Sequence, residues 1–224
     1  KMEEQGYQLF HIREDHLLCP LKKDIWKSVL LNKCGFSNKV HARKLQVVNL
    51  NGYQDFVKVF LEENHLQGSD KSTIKLGLFF EGELVTVMTF GNSRFNKNYQ
   101  FEMHRFCNKK GHQIVGGASK LWSYFVRNYF PESVITYADR RYYGGSFYDT
   151  LGFTKVEAST PNYFYFKGKN KLLSRIQFQK HKLQNILETF DPNLTEWENM
   201  QLNGYNRIWD CGNYVFEWRK KETP

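Results

Sequence analysis

Two neighbouring runs of mostly apolar residues, 74–80 and 83–90, form the clearest hydrophobic pattern in the chain. Glu81 and Gly82 separate them, and a two-residue break of this kind between β-favouring runs predicts a tight hairpin. Four shorter runs rich in β-branched and aromatic residues are predicted to be strands of the same sheet: residues 45–50, 101–106, 134–138 and 163–167.

Segments whose apolar residues have helical spacing alternate with these strands. Residues 22–32 and 53–63 place their apolar side chains on one face, and an apolar run after Ala118 has the same period. Strands interleaved with helices predict an α/β fold, in which at least three helices cross a mixed sheet.

The two ends of the chain have patterns of their own. Residues 7–12 are an apolar strand candidate, and residues 172–187 predict a basic helix. Thr195 and Glu198 have the spacing of a capping box, which predicts the start of a further helix.

Residues 207–210 and 214–218 predict a closing hairpin, whose aromatic side chains are either core or surfaces on which bases stack. From these patterns we predict a strand–helix extension (1–44), a central domain (45–168) and a basic C-terminal extension (169–224).

The chemistry predicted for the central domain comes from two glycine-containing loops. Gly116 and Gly117 open a helix, where unpaired N–H groups and the positive end of the helix dipole suit a pyrophosphate. Asp139 ends a strand, a position from which side chains reach a ligand cleft in open α/β sheets. Tyr148 follows Gly145 in the first turn of a predicted helix, where its phenol is placed to act as a general acid.

The first loop resembles the cofactor loop of the Gcn5-related N-acetyltransferases, since Gln113, Gly116 and Ala118 fill its three diagnostic positions. The resemblance implies a mixed, mostly antiparallel sheet flanked by helices and a donor that is acetyl-CoA or a related acyl compound. It also implies one continuous set of cofactor-binding residues: Gln113, Ile114, Val115, Gly116, Gly117, Ala118, Ser119 and Lys120.

Residues 45–166 also resemble the phage Mom DNA-modification proteins. The likeness is carried by the segments 64–68 and 102–107, by Ser119 and by the residues that follow Asp139. It implies transfer of an acyl-derived group to a base of DNA, with the adenine amine favoured. The residues implied to be catalytic are His65, Ser119, Asp139 and Tyr148.

Each of those four residues also has a structural interpretation. Ser119 caps its helix, Asp139 caps the loop that follows it, Tyr148 fills the core, and His65 is a structural residue after a helix. The functional and the structural interpretations both stay open at the level of the sequence.

The charge of the chain points to a polyanionic partner. The net charge is +9, and no acidic residue occurs at 103–131 or 167–187. We therefore predict DNA as the partner, although a basic surface that binds nothing is the alternative. The predicted contacts are Arg94, Arg105, Arg140, Arg141, Tyr142, Tyr143, Arg175 and Lys180.

The first 44 residues resemble the tail of phage homing endonucleases related to the very short patch repair nucleases. The residues that carry this likeness are His11, Glu14, Asp15, Lys22, Lys23, Asp24 and Ser28. The likeness implies an upstream endonuclease or repeat domain. His11, Glu14, Asp15 and His16 are predicted to be solvated turn residues, so we predict no metal site.

The remaining composition narrows the class of protein. A hydrophobic fraction of 41% supports a globular core, four scattered cysteines favour a reduced protein, and no run reaches transmembrane length. We predict a cytoplasmic protein, in the host cytosol if a phage encodes it. Two other functions stay open: a DNA-binding module of a homing endonuclease without turnover, and an acetyltransferase that acts on a protein or a small amine.

Overall fold

The computed structural model of the protein describes residues 5–142, 144–168 and 172–221. These residues form two compact units, both discontinuous in sequence. The larger unit contains residues 16–138, 144–157 and 214–221, and the smaller unit contains residues 5–15, 139–142, 158–168 and 172–213. The boundaries that we predict near residues 44 and 168 stay predictions.

The secondary structure alternates as the sequence predicts. The helices are α1 (Glu14–Leu18), α2 (Pro20–Lys33), α3 (Gln54–Asn64), α4 (Gly117–Tyr129), α5 (Ser146–Thr150), α6 (Lys180–Leu183) and α7 (Glu196–Leu202). The strands are β1 (Asn38–His41), β2 (Gln46–Asn49), β3 (Ile74–Phe80), β4 (Glu83–Gly91), β5 (Phe101–Asn108), β6 (His112–Val115), β7 (Ser133–Asp139), β8 (Thr154–Ala158), β9 (Tyr163–Phe166), β10 (Leu173–Ser174), β11 (Asn206–Trp209) and β12 (Asn213–Arg219).

A seven-stranded sheet with the order β2-β3-β4-β5-β7-β12-β8 is the centre of the larger unit. β2 to β5 pair in antiparallel fashion, whereas β5 and β7 are parallel. The predicted α/β class, with a mixed and mostly antiparallel sheet flanked by helices, is confirmed. The predicted hairpin is also confirmed, because Glu81 (φ 50°) and Gly82 (φ 83°) both adopt the positive φ that a tight two-residue turn needs.

Alternation along the strands sends neighbouring side chains to opposite faces of this sheet. Val87 packs with Leu61 of α3 on one face, while its neighbour Met88 joins the cluster that contains α4 on the other. In the α4 cluster, the ring of Phe125 stacks on Phe90 with 3.7 Å between the ring centroids. The two helices thus cover the two faces of the central strands.

The smaller unit has its own three-stranded antiparallel sheet, with the order β10-β9-β11. Tyr165 of β9 is fully buried among apolar residues that include Leu183 of α6 and Met200 of α7. The predicted capping box is confirmed, since Thr195 accepts a hydrogen bond from the N–H of Glu198 and the Glu198 carboxylate accepts one from the N–H of Thr195. These caps fix where α7 begins.

The structure corrects the strand assignments at the C-terminal end. We predict residues 163–167 in the large sheet, but β9 belongs to the small one. We also predict a closing hairpin, but β11 pairs with β9, whereas β12 lies between β7 and β8. Alternating aromatic residues identify a strand without identifying its partner, which explains both errors.

Two further elements differ from the prediction. The basic segment 172–187 is not one helix but a short strand, a 3₁₀ turn (Arg175–Phe178) and the single turn of α6. Residues 7–12 form no strand, although His11 and Gln8 bind the backbone of Arg141 and Tyr142. Local propensity is a weak guide where a short segment packs mainly through contacts distant in sequence.

The stacked rings at the centre of the larger unit lead to the first prediction. Replacing Phe125 by alanine removes a fully buried ring, and the resulting cavity should lower the free energy of unfolding by about 3–5 kcal/mol. Urea denaturation followed by tryptophan fluorescence measures this loss. Phe36→Ala is the control, since Phe36 is 75% exposed and its removal should cost less than about 0.5 kcal/mol. Equal losses in the two variants would contradict the assigned core.

Candidate functional site

The glycine loop that we predict from the sequence lies between β6 and α4. Gly116 is the N-cap of α4 with φ of 76°, a left-handed conformation that favours glycine. No side chain caps the helix, and its first turn contains no acidic residue. The first N–H groups of a helix have no partner within it, so those of Gly117, Ala118 and Ser119 are available to a ligand.

Gly117 is required by close packing. A Cβ at this position would lie 2.7 Å from Cγ2 of Ile114 and 3.3 Å from Cδ1 of Leu78. Both of these neighbours are buried core residues. The absence of a side chain therefore lets the helix start approach β3 and β6.

The side chains around the loop have different environments. Lys120 donates to the carbonyl oxygens of Ala42 (2.9 Å) and Leu45 (2.5 Å), so its ammonium group braces the loop. Gln113 has a buried Oε1 without a hydrogen-bond partner among the described residues. Ser119 is exposed and does not cap the helix. The cofactor-binding roles of these three residues stay predictions.

The parallel strands β5 and β7 pair along only part of their length, which leaves an opening between them after the paired residues. Their pairing covers Phe101–Met103 and Val134–Thr136, although both strands continue for several residues. A register shift opposite Thr89 and Phe90 leaves His104 as an extra residue of β5. Backbone groups of β5 beyond the bulge are thus not paired with β7 within the described chain.

Tyr148 lies at the last pair of that ladder. Its hydroxyl is 3.4 Å from Oγ1 of Thr136, and its ring stacks on Phe216 with 4.8 Å between centroids. Burial raises the pKa of the hydroxyl, an effect that the contact with Thr136 partly offsets. Tyr148 is therefore a core residue whose hydroxyl lies at the end of the paired region, and its catalytic role stays a prediction.

Asp139 belongs to the smaller unit and is held by Arg141. Its carboxylate accepts from the Arg141 backbone N–H (3.0 Å), from Nε (3.0 Å) and from the terminal guanidinium nitrogen (2.6 Å). This is the loop-capping arrangement that we considered as the structural alternative. Gly116, Ser119, His65 and Tyr148 all lie in the larger unit, and the catalytic role of Asp139 stays a prediction.

His65 ends α3 as its C-cap residue, and its Nδ1 accepts a hydrogen bond from the N–H of Gln67 (3.1 Å). Burial, and after it the positive charge of Arg105, lower the pKa of His65 to about 3. The imidazole is therefore neutral at pH 7 with its proton on Nε2. In this state it is a hydrogen-bond donor and a weak base.

A buried polar cluster near His65 has no counterpart in the predicted site. Asp70 accepts from Oγ1 of Thr89 (2.6 Å) and from the N–H of Ser72 (2.6 Å), and it lies 3.9 Å from Nδ1 of His104. Burial opposes ionisation, but His104, Ser72 and Thr89 together lower the pKa of the Asp70 carboxyl well below its usual range. His104 is the bulged residue of β5, and it lies near Asp70 of a distant loop. No short sequence motif therefore predicts this cluster.

A second missed group is the Glu102 carboxylate, which is fully buried beside the parallel pair. The backbone N–H of Arg94 donates to it at 2.8 Å, and two guanidinium nitrogens of Arg94 donate as well. The pair satisfies a charge that would otherwise be costly to bury. Arg94, which we predict to contact DNA, thus has a second role within the fold.

The other predicted DNA contacts are divided between the two units. Arg105 donates to the carbonyl oxygen of Gly68 in the larger unit. In the smaller unit, Arg175 lies 3.4 Å from Glu196 and Lys180 is exposed. Arg94 and Arg141 form the ion pairs with Glu102 and Asp139. The other three predicted contacts are Arg140, Tyr142 and Tyr143.

Two of those contacts lie against the backbone of the smaller unit. The N–H of Arg140 donates to the carbonyl oxygen of Gly212 (3.2 Å), and Tyr142 is buried. Tyr143 lies outside the described residues. The DNA-binding roles of the eight residues stay predictions.

Residues 5–142, 144–168 and 172–221 hold no group of three or more His, Cys, Asp or Glu side chains suited to a metal ion. His16, which we predict to be a solvated turn residue, is instead buried in α1, where its Nδ1 accepts a hydrogen bond from Nε1 of Trp26 (3.1 Å). None of the described helices combines the length and the apolar character that crossing a bilayer requires.

Comparison with known proteins gave matches among solved structures alone. No protein-family model matches the chain. No curated protein matches it either. The solved structures that match include acetyltransferases of the GNAT family.

Particular matches include a Bacillus subtilis acetyltransferase in complex with CoA, with 13% identity over 80% of this chain and 100% of that chain and a TM-score of 0.40. A GNAT family acetyltransferase of Elizabethkingia anophelis with acetyl-CoA bound has 10% identity over 79% and 99%, with a TM-score of 0.40. Spermidine/spermine N-acetyltransferase SpeG of Vibrio cholerae, in complex with manganese ions, has 11% identity over 80% and 94%, with a TM-score of 0.41. Each TM-score is below 0.5, so we base no conclusion about this chain on these matches.

The environment of His65 leads to a pH prediction. Between its unfolded pKa of 6.5 and its folded pKa of about 3, the unfolded chain binds a proton that the folded chain does not. His65 should therefore reduce the free energy of unfolding as pH falls through this window, by up to about 1.4 kcal/mol per pH unit. In histidine ring NMR spectra, the His65 signals should stay those of a neutral imidazole from pH 8 to pH 5.

The variant His65→Gln should make the loss of stability between pH 6.5 and pH 4.5 shallower. Phe36→Ala is the control, because Phe36 is exposed and carries no ionisable group, so its replacement should leave the slope unchanged. A His65 titration midpoint near 6.5 would show that the imidazole is solvated, contrary to the structure.

Proposed function

We propose that the protein is an N-acyltransferase that takes its acyl group from acetyl-CoA or a related acyl-CoA. The observation that carries this proposal is the start of α4, where a left-handed Gly116, a tightly packed Gly117 and an uncapped first turn without acidic residues present bare N–H groups. Such a turn suits a pyrophosphate, because N–H groups and the helix dipole both favour negative charge. When bound, the donor supplies an activated acyl thioester.

The opening between β5 and β7 supports the same function. Backbone N–H groups of β5 beyond Met103 are not paired with β7, so they are suited to polarise a carbonyl oxygen placed there. Tyr148 keeps its proton at neutral pH, and its hydroxyl oxygen lies 3.4 Å from Oγ1 of Thr136, at the end of the paired region. In this proposal the acceptor nitrogen displaces the thiolate from the acyl carbon while His65 orients it through Nε2–H. Tyr148 gives its proton to the leaving thiolate, and the proton lost by the acceptor nitrogen passes through water to restore the Tyr148 hydroxyl.

For the acceptor we propose a base of DNA, with the adenine amine favoured. The excess of basic over acidic residues lies almost entirely in the larger unit, which also contains the glycine loop. The resemblance of residues 45–166 to the Mom proteins supports this acceptor, with His65, Ser119, Asp139 and Tyr148 in the implied catalytic positions. An adenine amine is a poor nucleophile, so the reaction depends on positioning more than on a strong base.

A protein or a small amine is the second candidate acceptor. Two of the arginines predicted to contact DNA favour this candidate. The guanidinium groups of Arg94 and Arg141 form ion pairs with Glu102 and Asp139, so their charges are already neutralised within the fold. A non-catalytic DNA-binding module is the third candidate. That module would bind duplex DNA with a steep salt dependence but no acyl-CoA.

Donor binding is tested by a charge placed in the first turn of α4. Ser119→Asp should weaken acetyl-CoA about tenfold or more, since its carboxylate repels the pyrophosphate. The same carboxylate interacts favourably with the helix dipole, so the melting temperature should stay equal or rise. Isothermal titration calorimetry and thermal denaturation measure the two effects.

Ser119→Asn is the matched control for this experiment. It has nearly the shape of the aspartate without the charge, so it should retain acetyl-CoA affinity within about threefold. Wild-type affinity in the aspartate variant would place the pyrophosphate elsewhere. No binding to the wild-type protein would remove the acyltransferase proposal.

The acceptor is tested by mass spectrometry of nucleosides from DNA of cells that express the protein. We expect an adenosine derivative with an added acyl-type mass, present with the wild-type protein and strongly reduced with Tyr148→Phe, which lacks the proton donor but keeps the stacked ring. Phe36→Ala serves as the control for expression. Unmodified DNA from cells that contain an acyl-CoA-binding protein would favour a protein or small-amine acceptor.

A further inference from the structure

Two long stretches without an acidic residue, 25–54 and 103–131, meet in the larger unit. They are joined where β1 and β6 pair in parallel, with Lys39 beside Gln113 and His41 beside Val115. The sequence gives no hint of this contact, because the two stretches are separated by about half of the central domain. The approach to the start of α4 is consequently bordered by neutral and basic side chains.

Strand β1 presents its basic residues outward. Its alternation buries Val40 and exposes Lys39 and His41. Because His41 is in register with Val115, it lies about one strand spacing, roughly 4.8 Å, from the residue that precedes Gly116.

The turn after β1 extends this basic surface to the glycine loop. Arg43 and Lys44 are exposed, while Ala42 is buried and its Cβ lies 3.7 Å from the position that a Cβ would take at Gly116. Lys120 of α4 is bonded to the carbonyl oxygen of Ala42, which ties the turn to the helix. The two exposed cations therefore neighbour a residue that touches the glycine loop directly.

Several other cations of the larger unit have carboxylate partners. Lys109 pairs with Glu83, and Lys220 lies 2.9 Å from Glu132. Within the described ranges, no side-chain hydrogen bond or ion pair involves Lys39, His41, Arg43 or Lys44. A set of like charges without counter-charges is electrostatically unfavourable unless an anion is bound there.

We infer that the β1 stripe, defined as Lys39, His41 and Arg43, is a second phosphate subsite that binds the phosphate monoester on the ribose of the donor nucleotide. This inference rests on the proposed function, since it places that phosphate next to the pyrophosphate held by the start of α4. Lysine and arginine side chains bind a phosphate monoester through charge-assisted hydrogen bonds. The subsite selects donors that carry this third phosphate over those that lack it.

The dimensions of the stripe favour a nucleotide over a nucleic acid. Lys39 lies in β1 and Arg43 in the 3₁₀ turn Ala42–Lys44 that follows, so even a fully extended chain would keep the two residues within roughly 14 Å, which accommodates one or two phosphate groups. Salt-dependent binding to duplex DNA engages several phosphates and needs a longer track of cations. The contact with the glycine loop also places the stripe beside the site proposed for the other two donor phosphates.

The test compares two donors that differ by that phosphate. Coenzyme A and 3′-dephospho-coenzyme A are titrated calorimetrically into the wild-type protein and into Lys39→Gln/Arg43→Gln. We expect the wild-type protein to bind coenzyme A about tenfold tighter than the dephospho form, and the double variant to lose this preference by weakening coenzyme A alone. Lys58→Gln is the control, because Lys58 is an exposed cation on α3, the helix that covers the other face of the sheet.

The outcomes separate this inference from the function on which it rests. Equal affinities for the two compounds in the wild-type protein overturn the subsite and leave the proposed donor site intact. Failure of the wild-type protein to bind either compound overturns both. A double variant that binds both compounds normally but loses affinity for a 20-base-pair duplex assigns the stripe to DNA and overturns the inference. All replaced side chains are exposed, so thermal denaturation should show unchanged folding.

Discussion

The close approach of the first turn of α4 to the sheet is the constraint on which the candidate site depends. Gly117 has no room for a side chain because Ile114 and Leu78 occupy the space where its Cβ would lie. This contact fixes the helix start against β3 and β6. Gly116 turns the chain from β6 into α4. The N–H groups of the first turn are consequently held by the packing of the core rather than by a flexible loop, which is the preorganisation that anion binding requires.

The polar groups inside the larger unit show how the fold accommodates chemistry in an apolar setting. Glu102 is buried with Arg94, and Asp70 is buried with donors from Ser72 and Thr89. His65 is held neutral by its surroundings. The buried charges of Glu102 and Asp70 thus have compensating partners, whereas within the described residues no side-chain ion pair involves the exposed cations of the β1 stripe. This contrast between a compensated interior and an uncompensated surface is the basis on which we assign the stripe to a ligand.

Several features of the fold were predictable because their signals are local. The β3–β4 hairpin follows from two apolar runs around Glu81 and Gly82, and the start of α7 follows from Thr195 and Glu198. The glycine loop was predictable for the same reason. The placement of β9 and β12 was not, since partners far apart in sequence are chosen by side-chain fit. Asp70 and His104 were missed because a bulge brings them together, and bulges leave no reliable pattern of residues.

By itself the sequence determined the α/β class, the principal helices, the hairpin and the glycine turn, since hydrophobic period and turn residues act over a few positions. Only the tertiary structure decided that β1 lies beside β6, that Tyr148 reaches Thr136 and that Asp139 is bound by Arg141. It also joined two acid-free stretches into one basic surface. These arrangements depend on contacts between distant segments, whose free energy is gained when the core packs as a whole and which therefore leave no imprint on any short window of residues.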